Sequence, residues 1–377
     1  MAYQNVGTPV FYIDNYQYLR ALGLNLEEYI SVTEDVNNLS NITFKTPLDN
    51  ESVFTLSPQN SKLMPRENGH TMRWFIPCGE MIRGMDFTGN MKWYGAILNH
   101  NLSDCNAGLH FSLFSGAIES ENNTYSAHDI HFNSILNATS NFYQINNGST
   151  IWTSDNVPTD ERFTGFRLSG SAADSSTPTD LSNLQIGAVS MGVQYKMPKS
   201  PDLEISMKTS FDGLDKITTL GGATLSNVRH TGLPVWSNDG KFSNQFAVGE
   251  FSEDSFLNGA KRNGRREWEM TFNHIGDSDI FSSNYMNTPY TENTSDYESS
   301  DIDNSNQFKY NIFTDDSFIA QVWNKTLGGA LPFIFQPDSN NNNPDQFCIA
   351  KFDMKELEIN QVAFKVYEIT LKIREIW

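Results

Sequence analysis

Apolar and polar positions alternate with the two-residue period of half-buried strands in several short runs of this chain. Between Thr71 and Met197, short strand-like runs are separated by Gly, Asn, Ser and Asp clusters, the spacing of a sandwich or jelly roll. MRWFIP, KWYGAIL, GLHFSLF, RFTGFRL and LQIGAVSMGVQY are the strongest of them. In the last, Val189, Met191, Val193 and Tyr195 share one parity with Gly187 and point to one face. Further on, Asn263 and Gly264 suit a tight hairpin turn, after which Trp268, Met270 and Phe272 alternate with Glu267, Glu269 and Thr271. The closing run VAFKVYEITLKIREIW places Val362, Phe364 and Val366 on one parity and Ile369, Leu371 and Ile373 on the other, which predicts a bulge near Tyr367.

Helical spacing is confined to two stretches. After a short strand from Pro9 to Ile13, Tyr18, Leu19 and Leu22 share a face before Gly23 stops the turn. TDDSFIAQVWNKTLGG reads as a helix near 315–327, with Thr314 as its cap, Asp315 and Asp316 at its positive end, Lys325 at its negative end and Gly328 as its stop. Phe318, Ile319, Val322, Trp323 and Leu327 form its expected buried stripe.

These elements group into three segments. Residues 1–70 form an arm or a strand-and-loop contribution to a sheet built elsewhere in the chain, because 31–70 is polar and rich in turn formers. Residues 71–198 form a first β-domain, with 119–160 read as surface loops. Pro198 and Pro201 interrupt ladder hydrogen bonding and mark the boundary to a second β-domain, 199–377. The acidic stretch from Asp277 to Gln307 has few apolar anchors and reads as a solvated loop. The expected class is all-β, with two sandwich or jelly-roll domains in series.

Composition agrees with strands. Apolar residues make up 38% and charged residues 19%, and 26 Phe, 14 Tyr and 7 Trp supply the large packing groups. A formal net charge of −19 argues against a nucleic-acid partner, since phosphate binding needs a basic face. Cys78, Cys105 and Cys348 form neither a CxxC pair nor an even set, so a disulfide scaffold and a thiolate zinc site are both disfavoured. No membrane span and no secretory leader is read from the first residues, and synthesis in a cytoplasm is expected.

Candidate chemistry is sparse. The chain has no nucleophile elbow, phosphate loop, dinucleotide fingerprint or HExxH. His128, Asp129 and His131 could ligate a metal but lack a further ligand at helical spacing. DSNNNNPD at 338–345 offers oxygens to calcium, yet lacks the glycine and closing glutamate of such loops and reads better as a hairpin turn. Glu292, Asp296, Glu298, Asp301 and Asp303 read as solvated charge, and Lys261, Arg262, Arg265 and Arg266 as a solvated turn or a docking point for an acidic neighbour. Tyr143 and Trp152 could stack on a sugar or pack into their own domain. No catalytic, cofactor-binding or metal residue is assigned, and no cofactor is expected.

Several segments carry a family resemblance. KWYGAILNHNL with GLHFSLF, then FRLSG with LQIGAVSMG, resembles the galactose-binding-like jelly roll found in tailed-phage virion proteins, with Asn99 standing at the usual glycine of its ILGHNL-like segment. Ser200 to Leu203, LGGATLSN, RREWEMTF, VWNKTLGGALPFIFQPD and LKIREIW together are similar to phage tail and baseplate proteins of the distal-tail type. The resemblance implies a virion structural protein that assembles with copies of itself and with other virion proteins, forming a ring or connecting fibres to the tail. The alternative expectation is an adhesion protein binding host-surface glycan. A glycoside hydrolase ranks last, since it needs two carboxylates about 5 to 10 Å apart that sequence cannot place.

Overall fold

The computed structural model describes residues 6–23, 54–56, 62–63, 71–77, 91–102, 108–115, 126–128, 133–136, 148–155, 163–169, 185–210, 214–228, 265–281, 315–343 and 346–376. Their architecture is all-β. The first strands are β1 (Val10–Asp14), β2 (Lys62–Leu63), β3 (Thr71–Pro77), β4 (Met91–His100), β5 (Gly108–Ser115) and β6 (Ser126–His128). Next come β7 (Asn133–Leu136), β8 (Gly148–Ser154), β9 (Phe163–Ser169), β10 (Gln185–Lys196), β11 (Ser206–Ser210) and β12 (Leu214–Thr218). The remainder are β13 (Thr224–Val228), β14 (Arg265–Gly276), β15 (Phe333–Gln336), β16 (Cys348–Phe352), β17 (Ile359–Ala363) and β18 (Val366–Glu375). Helical turns are few: α1 (Asn15–Ala21), α2 (Asp277–Ile280) and a π-helix (Ile319–Asn324).

One antiparallel sheet of 12 strands runs in the order β11-β14-β18-β16-β15-β1-β10-β4-β8-β7, with β17 beside β18 and β2 beside β10. A second sheet has the order β3-β9-β5-β6, and among the described residues β12 and β13 pair only with each other. The eight strands β3 to β10 therefore divide four and four between two sheets, the division of a sandwich. The expected boundary at Pro198 and Pro201 falls just after β10, inside a sheet to which both flanking segments contribute.

The strand that joins the two halves is β1. It pairs with β10 from Val10↔Lys196 to Asp14↔Gly192 on one edge, and with β15 from Val10↔Gln336 to Tyr12↔Ile334 on the other. All five of its residues are buried, because both faces of the sheet are covered there. Phe11 and Ile13 join the larger core, with Trp93, Met191, Val193, Tyr195, Phe333 and Phe335. Val10 and Tyr12 join a second cluster on the opposite face, with Tyr94, Leu98, Ile334 and Ile349. The Phe11 ring lies 5.4 to 5.9 Å from those of Phe318, Phe333, Phe335 and Phe352, mostly tilted or edge-on, as ring quadrupoles prefer. Gly192 permits this approach: a Cβ there would stand 2.0 Å from the Ile13 carbonyl oxygen.

Several expectations need correction. The excursion 119–160 is not only loop, since β6, β7 and β8 lie within it and every residue of β8 is buried. Its hydroxyls are satisfied across the ladder, where Ser149 accepts from the Asn99 amide at 3.2 Å and Thr150 pairs with the His100 ring at 2.7 Å. The closing run is a hairpin of β17 and β18 about Phe364 and Lys365, whose φ is 58°, a turn that the parity pattern did not announce. The irregularity expected near Tyr367 is present on both of its ladders: the β17 register shifts between Gln361 and Ala363, opposite Tyr367 and Val366, and the β14 register shifts between Phe272 and Ile275, where His274 has φ 63°.

The helix near 315–327 is a π-helix followed by turns; its N-cap is Phe318, without a side-chain cap, and just before it the Asp315 carboxylate accepts from the Ser317 amide at 3.0 Å while the Ser317 hydroxyl accepts from the Ala320 amide at 3.3 Å. Thr314, the expected cap, lies outside the described residues. Phe318, Ile319 and Val322 are buried as the stripe predicts, but Leu327 is exposed, as is Leu22 after α1, because each sits at a chain reversal past its helix. Gly328 has φ 66° and closes the turn with a 2.9 Å bond to the Trp323 carbonyl.

Because β1 is, among the described strands, the one bonded to both β10 and β15, its contacts couple the two parts of the large sheet. Phe11→Ala should cost about 3 to 5 kcal/mol. Gly192→Ala should cost about as much without removing any apolar surface, by forcing β1 away from β10. Thermal melting followed by circular dichroism checks both, and wild-type melting of Gly192→Ala would show that the two strands need not approach so closely.

Candidate interaction surface

Beyond β16 the large sheet becomes one-sided, and its outer face is charged. On β14 and β18, Trp268, Met270 and Phe272 face the core opposite Ile373, Leu371 and Ile369. The alternate positions form a ladder of opposite charges: Glu267 to Arg374 at 3.3 Å and Glu269 to Lys372 at 3.0 Å, followed by a 3.0 Å hydroxyl pair between Thr271 and Thr370. Such exposed pairs stabilise little and chiefly keep the face soluble. Arg266 differs. Its backbone amide and guanidinium both engage the Glu375 carboxylate, at 2.9 to 3.2 Å, a terminal nitrogen also donates to the Phe347 carbonyl, and the guanidinium lies 5.3 Å from the Trp268 ring. That pair ties the start of β14 to the end of β18.

Two hairpins carry apolar side chains into solvent. Ile217 and Leu225 stand directly opposite one another on β12 and β13, 65% and 60% exposed, and Leu220 lies at their tip. Phe364 occupies the turn between β17 and β18 and is 85% exposed, with Val362 behind it. Leu203 and Met207 are also exposed, on the segment leading into β11 and on the strand itself. Single exposed apolar residues are ordinary on protein surfaces, but clusters on short elements without a core of their own are the mark of a contact site.

The buried polar groups serve the sheet. Asp14 caps α1 through the Tyr16 amide at 2.8 Å and also accepts from Ser190 and Gln17. Ser190 pairs at 2.7 Å with the Tyr94 hydroxyl, so β1, β10 and β4 share one polar chain. Burial pushes the Asp14 carboxyl up to about 7, although its hydrogen bonds pull the other way. His100 is driven down to about 3 by burial; its Nδ1 accepts from the Leu102 amide, which leaves Nε2 to donate to Thr150. Lys325, expected to complement the helix end as a solvated cation, is instead fully buried, donates to the Gln321 side-chain oxygen at 2.5 Å and is pushed down to about 7. Burial also raises the Cys348 thiol and the Tyr12, Tyr94 and Tyr195 hydroxyls.

The sequence-derived candidates scatter. His128 ends β6, whereas Asp129, His131, Cys78, Cys105, Tyr143, Lys261, Arg262 and the acidic residues 292–303 lie outside the described residues. Trp152, weighed as a sugar platform, is buried in the core on β8. In the 338–345 loop, the Gln336 amide nitrogen donates to the Asp338 and Asn341 carbonyls and to the Asn342 side chain at 3.0 to 3.1 Å. A donor thus occupies the centre on which those oxygens converge, and Tyr12 holds the same side chain from the other end at 2.7 Å. Among the described residues, no group of three or more His, Cys, Asp or Glu could hold a metal ion.

Sequence reasoning singled out LGGATLSN within the family resemblance but passed over the exposure of Ile217, Leu220 and Leu225 about its two glycines. Lys325 gave no signal, because a lysine at a helix end ordinarily reaches water. Comparison with protein-family models, with curated proteins and with solved structures gives no match for this chain.

The buried ionisable groups fix a pH profile. Asp14, raised, stabilises the fold below the ordinary carboxylate value of 3.8 and loses that contribution as pH climbs to about 7. His100, lowered, contributes stability above 6.5 that is lost as pH falls toward about 3, so the two oppose one another through the acid range. Lys325, lowered from 10.5, contributes nothing at about 7 and progressively more up to 10.5. Urea unfolding should therefore show stability rising from neutrality to about pH 9, by on the order of 2 kcal/mol, above which the raised Cys348 thiol and tyrosine hydroxyls oppose it, and Lys325→Met should abolish the rise. A wild-type profile flat across that interval would contradict the assignment.

Proposed function

We propose that this chain is a structural component of a bacteriophage tail or baseplate, working by contacts with neighbouring subunits and carrying out no chemistry. The observation that carries this reading is the contrast between a core closed on both faces around β1 and two short hairpins that hold Ile217, Leu220, Leu225 and Phe364 in solvent. A monomer that works alone gains nothing from such exposure, whereas an assembling subunit buries those side chains against its neighbour. The tail setting comes from the resemblance of the 200–203, 220–227, 265–272, 322–338 and 371–377 segments to distal-tail-type proteins. The glycan-binding alternative is weakened by the burial of Trp152, one of the two aromatic residues considered for stacking.

Antibody raised against the purified chain should label phage particles at the tail, and mass spectrometry of those particles should find it at a fixed stoichiometry to other tail proteins. Complete absence from particles, with the protein present in the infected cell, would overturn the reading.

A further inference from the structure

Lys325 is 2% exposed, and the ammonium form of a lysine carries three donors. Among the described residues it meets one acceptor, the Gln321 side-chain oxygen at 2.5 Å. A neutral amine tolerates such a setting, whereas the cation is left with two unmatched donors and no counter-ion in an apolar interior. The elements packed around it offer no relief. On β1 the helix meets the Phe11 ring, while Asp14 at the end of that strand bears on Tyr94 on the opposite face. On β10 it meets Tyr195, whose hydroxyl donates to the Asp279 carbonyl of α2 at 3.1 Å and is acted on by the carboxylates of Asp279, Asp315 and Asp316. On β16, Phe352 meets Phe318 and Trp323, Cys348 is the ionisable group of the same face, and Lys351 stands on the other parity. None of these groups offsets the burial of Lys325.

The two ends of the π-helix are held differently. Past its end, the Thr326 hydroxyl engages the Val322 and Trp323 carbonyls at 2.8 and 3.0 Å and accepts from the Gly329 amide at 3.3 Å. A Cβ on Gly329 would stand 2.8 Å from that of Phe352, so this turn is fixed against β16. The start depends on one glutamine. The Gln321 amide donates to the Asp315 carbonyl and its oxygen accepts from Lys325, which ties the turn before the helix to the lysine beyond it.

We propose that the π-helix is a proton-operated latch: with Lys325 neutral, the Asp315–Gln321–Lys325 chain holds the helix against β1 and β10, and protonation of Lys325 releases it about the fixed Thr326–Gly329 turn, uncovering Phe318 and the Phe11 ring. A protonated Lys325 must leave for water, and Gln321 then loses the partner of its buried oxygen. Burial holds the amine at about 7 in the closed form, and in water it regains its ordinary 10.5. The closed form therefore binds fewer protons between those values and loses stability as pH falls from 10.5 to 7. Opening rises about tenfold per pH unit across that interval and levels off below it. Asp14 and His100 add no slope there, because above about 7 both are deprotonated in either state.

The test is hydrogen–deuterium exchange read by mass spectrometry on the full-length chain from about pH 7 to about pH 9, corrected for the intrinsic exchange rate. Peptides covering 315–326 should exchange through an opening that grows about tenfold per pH unit toward neutrality, and should do so ahead of peptides from β10 and β18. In Lys325→Met the same peptides should lose their pH dependence while β10 and β18 keep their protection. Wild-type protection of 315–326 that is independent of pH, or that changes only in step with β10 and β18, overturns the latch, as does a slope retained in Lys325→Met. The first two outcomes are read on the wild-type chain and stand whatever the stability of the variant. None of them touches the tail assignment, which fails separately if the chain is absent from particles.

Discussion

Insertion of β1 between β10 and β15 makes one sheet of two stretches of chain that are otherwise far apart in sequence. The insertion is held on three levels at once. Backbone ladders bind both of its edges, the Phe11 ring is surrounded by four others on one face, and Tyr12 packs against Tyr94 at 5.2 Å on the opposite face. Each ladder bond contributes little net, but a buried strand that leaves loses bonds on both edges and apolar burial on both faces together. The flanking strands are therefore coupled through it, and Gly192 is the point at which the coupling depends on the absence of a single methyl group.

The same strand organises the buried polar groups. Asp14 closes β1 and opens α1, and its carboxyl reaches Ser190 on β10, which in turn meets Tyr94 on β4. Tyr12 reaches Gln336 at the end of β15, whose amide gathers the oxygens of the following loop. Polar groups this deep are costly unless paired, so they discriminate among alternative strand registers: a slip of one residue would turn Asp14 and Tyr12 to the wrong faces and leave both unpaired. Hydrophobic rings drive β1 into the sheet, and these hydroxyls and carboxyl fix where it stops.

How much of this was legible in the chain depended on whether the deciding contact was local. β10 is buried on both faces, yet Val189, Met191, Val193 and Tyr195 keep to one parity while the small Ala188, Ser190 and Gly192 occupy the other; β14 announced itself, because it is covered on one face and strict alternation follows. β8 did not, since GSTIWTS is rich in hydroxyls whose partners, Asn99 and His100, sit on a strand some fifty positions away. The β17–β18 turn was hidden because Phe364 and Lys365 are not turn formers, and a lysine at φ 58° gives no signal in sequence. Asn99 was a fairer clue: it stands where the resembled segment has glycine, and its φ of 52° is a conformation that asparagine tolerates better than most residues. The central place of β1 left a trace in VFYID, which is apolar on both parities, as a strand covered on both faces must be.

The interior and the surface of this molecule obey different rules, and the difference bears on function. Inside, even Lys325 finds an acceptor in Gln321, and Arg266 is matched by Glu375. Outside, the β14–β18 face pairs Glu267 with Arg374 and Glu269 with Lys372, which spends ionic groups on solubility. Against that background the β12–β13 hairpin is an exception to the pattern of its own chain, with an Ile–Leu pair where the neighbouring sheet places Glu with Lys or Arg. An exposed strand pair of that composition invites uncontrolled association unless it has a designated neighbour. Five-residue strands and a tight glycine turn keep the surface it offers small.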